Sequence, residues 1–404
     1  MSEWKKEKLG DYVEVLSGFA FKSKDFTSEG VPVIKIKNIS PPNVSLEDLS
    51  YVPMTIVTQN PRYILSRGDV LIAMTGSHIN QIASVVGRVG RIRYDVLSVL
   101  NQRVGKIVNK DDKKSSLDFV YYYLSQYEVK VELAQKAGGA ANQANISPKD
   151  IKDLMFPCPP VETQHRIANI LSRYDSLIEN YQKQIKLLEE AAQRLYKEWF
   201  IDLHFPGHET TKIVDGVPEG WEKKSIGEIG EYLNGFAFKP SDWQDLGKPI
   251  IKIKEMGNGV TNETPRNSGE RVPAKYLIKA GDLLFSWSAT LMVIIWSGEE
   301  GWLNQHLFKV TPVKGIDREF LLQSISNTIV EFQNLTTGST MKHIQRNKLN
   351  QVFINVPNAE IMKRYADISE KTRSNILSLQ SQLRLLTEAR DRLLPKLMSG
   401  EITV

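Results

Sequence analysis

QHRIANILSRYDSLIENYQKQIKLLEEAAQRLYKEWF, Gln164–Phe200, reads as one uninterrupted helix. Apolar residues at Ile167, Ile170, Leu171, Tyr174, Leu177, Ile178, Tyr181, Ile185, Leu188, Ala191, Ala192, Leu195 and Trp199 keep the three-then-four spacing of a single stripe, with no Gly or Pro among them. Its 37 residues (200 − 164 + 1), at about 1.5 Å each, make a rod of about 55 Å, against the three or so turns of an ordinary globular helix. Such a rod cannot bury its stripe alone, so it predicts a partner rod.

The C-terminus supplies one. Ile361, Tyr365, Ile368, Ile376, Leu379, Leu383, Leu386, Leu393 and Leu397 repeat the stripe, and Glu162/Glu360, Arg166/Arg364, Ala168/Ala366, Leu188/Leu386 and Leu195/Leu393 all differ by 198. The two rods are an internal duplication. Pro395 stands where Lys197 stands in the first copy, and predicts that the second rod kinks or ends near Leu394.

The regions before the rods are duplicated too. Leu16-Ser-Gly-Phe-Ala-Phe-Lys22 returns as Leu233-Asn-Gly-Phe-Ala-Phe-Lys239, and Pro32-Val-Ile-Lys-Ile-Lys37, an alternating strand, as Pro249-Ile-Ile-Lys-Ile-Lys254, both at an offset of 217. The offset falls to 213 at Gly68-Asp69/Gly281-Asp282, 203 at Asn101-Gln102/Asn304-Gln305 and 198 at Pro159/Pro357, so the first copy carries 217 − 198 = 19 extra residues. Scaffold phrases survive while the stretches between them diverge, the pattern of two related domains with different specificities. Each copy mixes short strands, Gly-rich turns and one helical piece, Leu117–Ala134 or Arg318–Phe332, and predicts an α+β fold with a twisted, largely antiparallel sheet. His204–Pro218 has no periodicity and reads as a linker.

At 404 residues and 41% apolar content the chain can bury more than one core, and its net charge of +5 permits a polyanionic partner. A single cysteine, Cys158, leaves no internal disulfide and fits a reducing cytosol. Met1–Lys8 lacks the apolar core of a signal peptide, and Leu283–Trp296, the most apolar run, is shorter than the ~18 residues of a membrane span. The expectation is a soluble, cytoplasmic protein.

Catalytic signatures are missing from the sequence. It has no phosphate-cradling Gly-x-x-x-x-Gly-Lys-Ser/Thr and no Cys/His cluster at metal spacing. Of the histidines, His204 and His208 stand four apart but in the linker, where a surface role outweighs a ligand pair. Asn60-Pro61-Arg62-Tyr63 faintly resembles the Asn-Pro-Pro-Tyr loop of amino-methyltransferases but lacks the second proline and any nearby cofactor-binding glycine motif. Residues able to read base edges concentrate in the divergent loops: Thr75, Ser77, His78, Asn80, Gln81, Arg103, Asn142, Gln143 and Asn145 in the first copy, and Ser286, Trp287, Thr290, His306, Lys342, His343 and Gln345 in the second. Lys22, Lys24 and Lys239 are candidates for phosphates. Solvated polar loops are the bland alternative for any one residue; the duplicated architecture favours a reading role for the loops as sets.

The Gly-Phe-Ala-Phe-Lys phrase, the Gly-Asp-Val-Leu turn, Leu100-Asn-Gln-Arg, Pro159-Pro160 before a long helix, and the ending from Leu385 through Arg390, Pro395 and Met398 to Ile402 together resemble the DNA-specificity subunit of type I restriction–modification systems, over essentially the whole chain. The resemblance implies two target-recognition domains, 1–158 and 219–356, each reading half of a bipartite site in double-stranded DNA. Helical spacers at 159–203 and 357–404, with a linker at 204–218, would pack as an antiparallel coiled coil that sets the gap between half-sites. Their outer faces would dock modification (methyltransferase) subunits, which restriction (helicase-nuclease) subunits would join. No catalytic residue, metal or cofactor is then expected in this chain, since S-adenosylmethionine, ATP and Mg would belong to the partners, and no membrane is involved. The rival readings are the specificity subunit of a type II-like system, a hidden enzyme, and a coiled-coil adaptor that binds no DNA.

Overall fold

A computed structural model describes residues 4–76, 86–138, 144–261, 263–334 and 346–404. The chain forms two compact units, Met1–Leu177 with Leu386–Val404, and Ile178–Leu385. Both long helices pass from one unit into the other, so each unit holds one globular copy, the start of one long helix and the end of the other.

Those helices are Val161–Tyr196, continued by a π-helical turn at Lys197–Ile201, and Ala359–Ser399. Their stripes enter the cores of the globular copies. In the first unit Ile167, Ala168 and Leu171 of the first helix and Leu397 and Met398 of the second share a core with Leu9, Phe119 and Phe156. In the second, Tyr196, Trp199 and Phe200 meet Ile361, Met362, Tyr365 and Phe320, with Phe200 edge-on to Phe320 and Tyr365 at 4.8 and 4.9 Å. Start meets end in each unit, so the helices are antiparallel. Leu177, Ala191 and Ile368, which the periodicity places in the stripes, are exposed.

Pro395 does not end the second helix, which continues to Ser399. An interior proline costs about 3 kcal/mol, and burying Leu397 and Met398, 1% and 2% exposed, returns about 1.5–3 kcal/mol each. The expected helix Leu117–Ala134 is two helices, Leu117–Leu124 and Tyr127–Lys136. The break falls where the Ser125 hydroxyl and the Gln126 amide donate to the carbonyls of Tyr121 and Tyr123, capping the first helix with side chains. The corresponding helix of the second copy, Arg318–Asn334, is continuous.

Each globular copy is built on two small sheets in the same order. One runs Val13–Ser17, Val104–Asn109, Val70–Ala73, Val89–Arg91 in the first copy and Gly230–Asn234, Leu307–Pro312, Leu283–Ser286, Met292–Ile295 in the second. The other runs Ser50–Val52, Val31–Ile34, Ser98–Leu100, Ile64–Leu65 and Arg266–Asn267, Lys248–Ile251, Gly301–Leu303, Leu277–Ile278. Pairing is antiparallel except between the two central strands of the latter sheet and, in the first copy alone, where Val89–Arg91 meets the added hairpin Ile39–Ser40/Asn43–Val44. That hairpin occupies the stretch where the first copy begins to exceed the second in length. An antiparallel pair, Lys6–Lys8 with Met155–Pro157 and Glu222–Ser225 with Phe353–Val356, ties the start of each copy to the strand before its long helix.

Buried charges clamp the helices to the domains differently in the two units. Asp175 of the first helix, 3% exposed, accepts from the Tyr122 hydroxyl at 2.7 Å and pairs with Arg390 of the second at 3.1 Å. Burial, then the Asp175 carboxylate, pushes the Tyr122 phenol well above its ordinary range. In the second unit Arg373 grips Glu319 through Nε at 2.8 Å and a terminal nitrogen at 2.9 Å, with both residues buried. Asp175 and Arg373 are repeat-related (373 − 175 = 198), so one helical position carries opposite charges in the two copies.

Candidate nucleic-acid interface

The phrases that survive duplication build one rigid turn. In the first unit the turn at Asn101–Val104 joins strands Ser98–Leu100 and Val104–Asn109, closed by Val104 N–H to the Asn101 carbonyl at 2.9 Å. Gly18 lies against it, donating to the Val104 carbonyl at 3.1 Å, and Phe19 and Gln102 add bonds of 2.9 Å to Leu100 and Phe19. A Cβ on Gly18 would stand 2.1 Å from the Asn101 carbonyl oxygen, which is why glycine is needed there. The second unit repeats the arrangement: Gly235 donates to Leu307 at 3.0 Å, and its Cβ would stand 2.1 Å from the Asn304 oxygen. Phe19 rests on Phe21 and Tyr63 at 4.9 and 5.4 Å, and Phe236 on Phe238 and Tyr276 at 4.9 and 5.6 Å, so the aromatic half of the phrase packs behind the turn. Gly68 and Gly281 sit at φ +93° and +94°, and the following Asp69 and Asp282 bind Lys106 and Lys309 at 2.7 and 2.8 Å, which accounts for the Gly-Asp phrase.

After the Asn-Gln pair comes Arg103 in one copy and His306 in the other. Arg103 is exposed, its guanidinium has no partner among the described residues, and its carbonyl accepts from Met74 N–H at 3.0 Å. His306 accepts likewise from Trp287 N–H at 3.4 Å; its ring lies 5.6 Å from the Trp287 ring, and its buried Nδ1 has no hydrogen-bond partner among the described residues. Trp287 Nε1 donates to Asn234 Oδ1 at 3.1 Å. Beside Arg103, Thr75 and Asn145 pair in a two-residue ladder, and the Thr75 hydroxyl donates to Asn145 Oδ1 at 2.8 Å.

Two candidates hold the surface rather than lie on it. Thr75 is 5% exposed with its hydroxyl engaged by Asn145, and Ser286 is fully buried, donating to the Thr290 carbonyl and accepting from Met292 N–H at 2.9 Å. Thr290 is exposed at the tip of that hairpin. Ser77, His78, Asn80, Gln81, Asn142, Gln143, Lys342, His343 and Gln345 lie outside the described residues.

Lys22, Lys24 and Lys239 are exposed; the backbone N–H groups of Lys22 and Lys239 each bind a carboxylate three residues on, Asp25 or Asp242, at 2.7 Å. Sequence reasoning missed a second repeat-related pair. Lys35 stands 4.2 Å over the Phe26 ring and Lys252 4.4 Å over Trp243, with 252 − 35 = 243 − 26 = 217. Burial, then neighbouring Lys37, holds the Lys35 ammonium below the usual lysine range. The retained Ile-Lys-Ile-Lys phrase was the signal that could have found them. In the linker, the His204 and His208 rings lie 5.3 Å apart, and His208 Nδ1 is 2.9 Å from the Phe205 carbonyl. Among the described residues no group of three or more His, Cys, Asp or Glu is placed to hold a metal ion, and no helix is long and apolar enough to cross a membrane.

The family model described as the type I restriction modification DNA specificity domain matches residues 1–190 and again 218–384. The MjaIX type I restriction enzyme specificity subunit of Methanocaldococcus jannaschii is 24% identical over all of this chain and 94% of its own length, and the HindI specificity subunit of Haemophilus influenzae is 26% identical over 67% of this chain and 73% of its own. A crystal structure of the type I restriction-modification S subunit from M. genitalium shares the fold, with a TM-score of 0.59 at 16% identity over 98% of this chain and 96% of that one. With one family model covering most of the chain in two copies, this protein belongs to the type I restriction–modification DNA specificity family.

Proposed function

We propose that each globular copy reads one half of a bipartite target in double-stranded DNA, and that the two long helices set the spacer and dock modification subunits. As a specificity subunit the chain is a non-catalytic component, so S-adenosylmethionine, ATP and Mg belong to the modification and restriction subunits it works with, in the cytoplasm. One observation carries the reading. Two topologically matching domains hold the same glycine-locked turn and present different residues on it, Arg103 in one and His306 in the other. A constant scaffold with a changed side chain is what two different half-sites require.

Arg103, Asn145, Trp287, Thr290 and His306 are the base-reading candidates, with Thr75 and Ser286 supporting them from below. Lys22, Lys24 and Lys239 are phosphate contacts, which fix register without reading sequence. The test is Arg103→Ala and His306→Ala in the complete complex, scored by methylation mapping. Each should relax discrimination in one half-site, Arg103→Ala by about 1–3 kcal/mol for a lost bidentate guanine contact. Uniform weakening on every sequence would assign the residue to phosphate instead.

A further inference from the structure

Three features of the first copy that the second does not share meet at one cavity. The added hairpin contributes Pro41 and Pro42, the helix pair that replaces a continuous helix contributes Ser125 and Tyr127, and the long helices contribute Asp175 and Arg390. The repeat partners of those last two residues, 198 positions away, are Arg373 and Ala192. Phe119 matches Phe320 at an offset of 201, so Tyr121 and Tyr122, which also line the cavity, stand where the second copy has Leu322 and Gln323. The space is about 310 Å³, at the small end of the range for small-molecule pockets, and its walls belong to the first unit.

The walls are braced from behind. The Tyr121 hydroxyl donates to the Pro42 carbonyl at 3.2 Å, which ties the hairpin to the helix, and the Tyr122 hydroxyl donates to Asp175. Arg390 engages both lining carboxylates, Asp175 at 3.1 Å and Asp391 at 2.7 Å. The other lining cations are Arg88 and Lys130. A Cβ on Gly87, at φ +73°, would stand 3.4 Å from Lys130 Cγ, so the turn that carries Arg88 lies against the Lys130 stem. Lys130 has no carboxylate partner among the described residues, and burial, then Arg88, holds its ammonium below the usual lysine range. Two cations crowded together favour an anion beside them, and a doubly charged one relieves the repulsion better than a singly charged one. Tyr127, 70% exposed, and the two prolines offer flat faces to a ring.

We propose that this cavity binds a mononucleotide, a planar ring system carrying one phosphate, with the phosphate at Arg88 and Lys130 and the ring against Tyr127 and Pro41-Pro42. The test is isothermal titration calorimetry of the full-length chain with each of the four ribonucleoside monophosphates, then with the nucleoside and inorganic phosphate separately. One monophosphate should bind per chain, and each half alone should bind at least about tenfold more weakly. Lys130→Gln and Tyr127→Ala should each weaken it by about 10- to 100-fold, through a lost charged hydrogen bond or a lost stack. Lys136→Gln, on the same helix but outside the cavity, should leave it unchanged. Saturating monophosphate should raise the Tm of the wild-type chain and not that of Lys130→Gln. No binding by any of the four at millimolar concentration would overturn the proposal, as would binding that both cavity variants leave intact. Inorganic phosphate alone binding as tightly as the monophosphate would overturn the ligand class. Displacement of bound monophosphate by duplex DNA, with equal loss of duplex affinity in Lys130→Gln, would overturn it too, by making Arg88 and Lys130 part of the DNA surface.

Discussion

Gly18→Ala should blind one half of the target and spare the other. The added Cβ would stand 2.1 Å from the Asn101 carbonyl oxygen and 2.3 Å from its carbon, where ordinary contact begins at 3.4 Å. Both atoms are backbone, so no side chain can swing aside, and the turn must retreat by about 1.3 Å (3.4 − 2.1). Arg103 rides on that turn two residues later. A bidentate contact does not survive such a shift, so discrimination in the first half-site should fall by about 1–3 kcal/mol, roughly 5- to 150-fold. Competition binding of the assembled complex to duplexes altered in one half-site, with methylation mapping in cells, measures it. Gly235→Ala, with the same 2.1 Å clash against Asn304, is the mirror experiment and should affect only the second half. Thermal unfolding run alongside separates a moved turn from a lost fold. Equal loss in both halves from either substitution, or none from both, would refute the reasoning.

Other outcomes are expected at the helices. Glu319→Gln leaves Arg373 buried without its carboxylate and should cost about 3–5 kcal/mol in chemical denaturation. Burial raises the Glu189 carboxyl above its ordinary 4.5, with Arg373 opposing, so the fold favours its protonated form. Stability from that group is present below the ordinary glutamate range and is lost as pH rises through the raised value. Glu189→Gln should therefore raise Tm at pH 7, with the gain vanishing below about pH 4. A heptad inserted between Tyr181 and Leu188, matched by one between Leu379 and Leu386, adds about 10.5 Å of helix and should move the preferred spacer by up to about three base pairs; methylation mapping reports it, and activity on the original spacer alone would leave the helices as docking surfaces only.

The repeat made most of the architecture legible. Gly18/Gly235 and Gly68/Gly281 mark backbone positions that tolerate little else, so their phrases survive in both copies. What stayed hidden depended on contacts distant in sequence. Pro395 reads as a helix end until Leu397 and Met398 are seen in the core of the first unit. Ser125 and Gln126 look helical until their side chains take the carbonyls of the preceding turn. Thr75 and Ser286 have the chemistry of base readers, but composition does not show that their hydroxyls face inward to Asn145 and to the 290–292 turn. Asp175 and Arg373 fall on the helical stripe yet are charged, and their partners, Tyr122 and Arg390 for the one and Glu319 for the other, lie far away in sequence.

The most direct measurement exchanges Trp4–Phe156 for the matching segment of a relative with a different target and maps methylation across the genome of cells carrying the assembled system. Because the two copies have separate cores and separate glycine-locked turns, one half-site should change to the donor's and the other half should stay as it was. Methylation altered in both halves, or in neither, would contradict the claim that this chain reads DNA with two independent domains.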